Sequence, residues 1–157
     1  MKISKKVVCL LTTLCILADG YCQVGNLYID SVNAYVKYVD SLIVDYASNP
    51  VSETNIVKTG THFSSLQKGN WCAQAELFKS NKDETIYRLS YADNCDSTFR
   101  LQDYYFSNNK IVFIRTVKSQ DRKDISDQYY RDNEVVNFVK GELYLGKGYE
   151  IIEKMSN

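Results

Sequence analysis

The sequence predicts an α+β domain, with one long N-terminal amphipathic helix packed on an antiparallel β-meander of about 5–8 strands. Three observations lead there. A single apolar stripe with helical spacing lies between Leu27 and Ala47. After it come short runs rich in Val, Ile, Tyr and Phe, separated by Asn, Asp and Gly. One of these motifs, "YYFSNNKIVFI" from Tyr104 to Ile114, returns as "YYRDNEVVNFV" from Tyr129 to Val139.

The first segment reads as an export leader. Lys2, Lys5 and Lys6 precede an apolar run from Val7 to Ala18, and Ala18, Gly20 and Cys22 follow as small residues. That order is the three-part pattern of a secretory signal peptide, with cleavage after Gly20 or after Cys22. Taking residues 1–22 as leader leaves 23–157 as one α+β domain, with no second apolar run able to span a bilayer. The leader removes three of 19 basic and one of 19 acidic residues, so 16 face 18 in the remainder. Such a balance gives no footing for nucleic acid or an anionic membrane surface. The chain is therefore expected in the periplasm or outside the cell.

Cysteine usage agrees with an oxidising compartment. Cys9, Cys15 and Cys22 lie in the leader, and Cys72 and Cys95 remain. With no CxxC and His62 as the one histidine, a structural Cys72–Cys95 disulfide is the expected use. It would stabilise the fold by about 3 kcal/mol.

Within the domain, Tyr28, Val32, Tyr35, Val39, Leu42 and Tyr46 step by three and four, with Ile29, Val36 and Ile43 beside them. This is the helix stripe. Asn26 caps its start, and Ser48, Asn49 and Pro50 stop it. The spacing also fits a short coiled coil, but a following sheet offers a nearer surface for burial. Residues 51–70 lack a clear period and read as a connection crossing the sheet, with room for a strand or a turn of helix. Strand runs follow as "NWCAQAELF", "TIYRLSY", "TFRLQDYYF", "KIVFIRTVK", "SDQYYR" and "EVVNFV", and "GELYLGKGYEIIEK" reads as a further hairpin about glycines. Asn108-Asn109 and Asp132-Asn133 suit two-residue turns, because Asn and Asp tolerate positive φ. The second turn sets Arg131 opposite Glu134.

Simple pairing across Asn108-Asn109 places Phe106 opposite Ile111, Tyr104 opposite Phe113 and Gln102 opposite Arg115. One face then carries Arg100, Tyr104, Phe106, Phe113 and Arg115. The other carries Leu101, Tyr105, Val112 and Ile114 and is expected under the helix. Aromatic rings with arginines are the composition enriched at protein interfaces. The first face is either covered by the linker and C-terminal strands or open to a partner.

Catalytic vocabulary is thin. GxSxG, HExxH, Walker A and GxGxxG are missing from the sequence, and a histidine-based triad could use only His62. Asp93 with Asp96, and Asp121, Asp124 and Asp127, cluster carboxylates without the ligand spacing of a calcium loop. No metal or cofactor is expected.

The "YYFSNNKIVFI" hairpin resembles those of small uncharacterised exported bacterial proteins in which an N-terminal helix precedes a β-meander. It is loosely similar to MORN-type hairpin repeats, though the glycine pattern of those repeats is missing here. The resemblance spans Asp103 to Val139, implies the helix-and-meander architecture, and carries over no catalytic residue.

Together these readings predict an exported, non-enzymatic module for protein–protein interaction, of inhibitor or immunity type. Arg100, Tyr104, Phe106, Phe113 and Arg115 would form its contact. The alternative is a carrier holding a small apolar ligand between helix and sheet, which requires a cavity of a few hundred Å³ lined by the same rings.

Overall fold

In the computed structural model, residues 5–48, 56–64, 71–94, 99–118, 123–138 and 145–156 are described, with side chains for 26–48, 56–60, 73–94, 99–118, 123–136 and 148–156. Helix α1 (Lys5–Ser48) comes first. The strands are β1 (Ile56–Ser64), β2 (Trp71–Ser80), β3 (Ile86–Asp93), β4 (Arg100–Ser107), β5 (Lys110–Val117), β6 (Ile125–Arg131) and β7 (Glu134–Phe138), and helix α2 (Leu145–Ser156) closes the described chain. The strands form one seven-stranded sheet in sequence order, every neighbour antiparallel. The fold is α+β, as the spacing of apolar residues predicts. Residues 51–70 do contain a strand, β1. The expected Cys72–Cys95 bridge lies outside the described side chains, as does the His62 ring.

Both two-residue turns form as expected. Asn108 and Asn109 have φ of 51° and 58°, and Asp132 and Asn133 have 51° and 69°. Positive φ at both central positions matches the twist of the flanking strands. Arg131 pairs with Glu134.

Two expectations are corrected. The C-terminal "GKGYEIIEK" run is helical, not a hairpin. Tyr149, Ile152 and Met155 recur at helical steps and pack against the sheet, and Glu150 and Lys154 pair one turn apart at 2.7 Å. Gly148 serves contact rather than a turn, since a Cβ there would lie 2.6 Å from Cδ1 of the Tyr104 ring. The second correction concerns the central hairpin. Phe106 faces Ile111, but the register shifts after that pair, so Tyr104 faces Ile114 and Gln102 faces Thr116. Val112 is the additional residue of a β-bulge.

That bulge recurs. Tyr87 on β3, Val112 on β5 and Val136 on β7 are each skipped in the pairing, always on the second strand of a hairpin. Phe78, Tyr105 and Tyr129 stand at equivalent places just before the three shifts, all in the core beneath α1.

The helix matches this repeat with a heptad of its own. The Tyr28 hydroxyl donates to the Tyr130 carbonyl and the Tyr35 hydroxyl to the Phe106 carbonyl. In return, the Tyr129 hydroxyl donates to Asn33 Oδ1 at 2.9 Å and the Tyr105 hydroxyl to Asp40 Oδ1 at 2.8 Å. Seven helical residues advance about 10.5 Å, close to the roughly 9.6 Å of two strand spacings. Successive heptads of α1 thus meet successive hairpins. In the third unit Phe78 has no hydroxyl, and the helix offers Leu42 and Ala47 where Tyr and Asn or Asp would stand.

Each face of the sheet carries a core. Val32, Val36, Val39 and Ile43 of α1 cover Ile56, Phe78, Tyr105, Phe113 and Tyr129. On the opposite face Ile151, with Tyr149, Ile152 and Met155, packs with Leu89, Tyr104, Phe106, Ile111, Ile114 and Tyr130.

Candidate functional site

Helix α1 crosses the sheet at the level of Phe78, Tyr105 and Tyr129, near the hairpin turns. Beyond it the strands continue, and alternation puts every second residue on the same face. The first row past the helix reads Glu76, Ser90, Asp103, Arg115 and Asp127 across β2 to β6, each a cross-strand partner of the next. The second reads Gln74, Ala92, Leu101, Val117 and Ile125. A charged row is thus followed by a mainly aliphatic one.

These rows floor a cleft of about 640 Å³, walled by Asp40, Ile43 and Val44 of α1. A second hollow of about 340 Å³ shares Arg88, Leu101 and Asp103 with it and extends the trough to Gln74 and Glu76. Ile125 and Val44 are 42% and 62% exposed at its mouth.

The charges are tied to one another. Arg115 holds Asp127 with two bonds of 2.9 Å, from Nε and Nη2 to the two carboxylate oxygens. That fork raises the Arg115 pKa beyond its ordinary value. Arg88 donates from Nη1 to Asp40 Oδ1 at 2.9 Å, and its Nε lies 3.9 Å from Asp103 Oδ1. Its guanidinium also sits 5.1 Å from the centre of the Phe78 ring. Ser90 Oγ donates to Asp103 Oδ1. Burial pushes the Asp103 pKa up, and Arg88 and the Ser90 bond offset only part of that rise. Tyr105 is also raised, first by burial and then by the charges of Asp103 and Asp40. Glu76 at the far end is paired with Lys58 at 2.7 Å.

The five residues expected to share an open face do not share one. Tyr104 and Phe106 are 0% exposed in the α2-side core, and Phe113 is 0% exposed in the α1-side core. Arg100 is half-buried opposite Asp93. Arg115 alone reaches the cleft. The physical cause is the bulge at Val112, which turns Phe113 and Arg115 to the α1 side while Tyr104 stays on the other. Sequence reasoning missed Asp40, Arg88 and Asp103, and noted Asp127 only as one of a cluster of carboxylates. Their signal was inward-facing charge of alternating sign on consecutive strands.

The carboxylates are engaged by guanidinium, hydroxyl or ammonium groups. Among the described residues no three His, Cys, Asp or Glu side chains group as metal ligands, and no described helix is long and apolar enough to cross a membrane. The trough presents paired charges, aliphatic surface and space. In comparisons with protein-family models, curated proteins and solved structures, nothing matched the chain.

Proposed function

We propose that the chain is an exported, non-enzymatic binding module that docks a protein partner in the trough beside α1, in the manner of an inhibitor or immunity protein. In this reading residues 26–48 are the amphipathic helix of the exported domain, and a Cys72–Cys95 disulfide braces the β2–β4 region outside the cytoplasm. The leader pattern at residues 1–22 supports export.

The observation that carries the docking reading is the two-row floor. A half-sheet with a charged row and an aliphatic row, open beside a helix, suits an amphipathic segment laid parallel to α1. Its apolar side would cover Leu101, Val117 and Ile125, and its polar side would meet the Glu76–Asp127 row. A wholly apolar cargo fits less well, because enclosing it here would strip water from five charged side chains.

Affinity capture from an envelope extract tests this. Val44→Lys and Ile125→Lys alter exposed positions and leave the core alone, so both should fold and release the partner. Tyr38→Lys, on the outer side of α1 at 53% exposure, should retain it. Capture that survives both cleft substitutions would reject this trough as the docking site.

A further inference from the structure

Resting on that docking reading, we propose that the deep part of the cleft is a seat for an aliphatic ammonium ion, filled by a lysine side chain of the partner. The charge count points to a cation. Three carboxylates, Asp40, Asp103 and Asp127, line the cleft against two guanidiniums, Arg88 and Arg115. Arg115 is committed to Asp127 through both of its hydrogen bonds, and Arg88 is shared between Asp40 and Asp103. One negative charge is left over. It falls on Asp103, which pairs with Ser90 and Arg115 in the charged row, lies 3.9 Å from Arg88 Nε, and is under-compensated for its burial. The end of α1 adds to it, since the last turn carries no basic residue to neutralise the carbonyl end of the helix dipole. Val44 in the cleft wall is one turn from that end.

The shape selects among cations. Ile43 and Val44 of the helix wall and Leu101, Val117 and Ile125 of the floor put aliphatic surface beside the carboxylates. A tetramethylene stem bearing a compact terminal charge matches wall and floor together. A divalent metal would use none of that wall, and a flat guanidinium would compete with the two already in place. An anion would meet the surplus negative charge.

The probe is n-hexylammonium chloride, titrated into the purified 15N-labelled chain and followed by amide chemical shifts. Saturable shifts at Leu101, Asp103, Arg115 and Ile125 are expected, with a Kd of about 1 mM for a ligand of this size. Ethylammonium should bind more weakly, and hexanol and hexanoate should leave those amides unmoved. Asp103→Asn should weaken hexylammonium by roughly tenfold. If that variant does not fold, the exposed substitutions Val44→Ser and Ile125→Ser must instead erase the advantage of hexylammonium over ethylammonium. Equal binding of hexanol or hexanoate, no saturable shift, or shifts confined to another surface would each overturn the seat. Cleft-dependent partner capture without hexylammonium binding removes the seat and leaves the docking site standing. Hexylammonium binding without cleft-dependent capture supports the seat and removes the docking reading.

Discussion

Arg88 is the residue on which the charged floor turns. It compensates Asp103, ties Asp40 of α1 to the sheet, and stacks on Phe78. Arg88→Ala leaves a buried carboxylate without its cation and is expected to cost about 3 kcal/mol, measured as a lower urea midpoint at unchanged slope. It should also move the Asp103 carboxyl titration, followed by 13C NMR, further above that of an ordinary aspartate. The sign of the wild-type pH dependence follows from the same group. A carboxyl whose folded pKa is raised binds its proton more readily in the folded state. Its ionisation therefore lowers stability as pH rises from about 4 through the folded pKa, and the relief returns below the unfolded value. Comparing wild type with Asp103→Asn isolates this contribution, and the downward slope should flatten in the variant. None of this was legible from composition. Arg88 and Asp103 are ordinary charges in the sequence until the pairing register puts them on one face.

At the scale of elements, the helix–hairpin match governs how α1 is held. Tyr28 and Tyr35 each donate one hydroxyl bond to a strand carbonyl, and burial pushes the Tyr35 phenol up to about 12. Tyr28→Phe and Tyr35→Phe should each cost about 1 kcal/mol. The two sites share no partner, so the double variant should cost close to the sum in denaturant unfolding. Helix α2 tests a different contact. On helix propensity alone, Gly148→Ala would gain about 1 kcal/mol. The Tyr104 ring leaves no room for the added methyl, so the expected outcome is a loss of about 1–3 kcal/mol, read as a lower melting temperature. The α1 stripe, both Asn/Asp turns and the strand order were readable, because helical period and turn chemistry are local properties. The bulges were not, since Val112 looks like any strand valine until its partner strand is in place. Helix α2 was hidden by glycines that read as turn residues, of which Gly148 proved to be a close-contact residue.

Across the whole molecule, one sheet serves two cores, and the same strands supply both. Damage to one side should therefore be felt on the other. Tyr104→Ala removes a wholly buried ring from the α2 side and should cost about 3–5 kcal/mol. It should lower a single transition in which far-UV and near-UV circular dichroism coincide, with no separate loss of the α1 side. Two distinct transitions would show that the layers are energetically independent. The sequence predicted the helix and the antiparallel meander, and misplaced the candidate site by one residue of slippage. An aromatic pair such as Tyr104-Tyr105 has no preferred side in isolation, and here each ring seals a different core.

The pairing of seven helical residues with one hairpin makes the architecture modular in two currencies at once. An ancestor or a designed derivative could not gain or lose a strand pair alone, because the tyrosine and amide-or-carboxylate positions of every later unit would then fall out of step. Length should change only in joint increments, one heptad with one hairpin. In the unit built on Phe78 the strand lacks the hydroxyl and the helix lacks both the Tyr and the Asn or Asp, so the two sides depart from the pattern together.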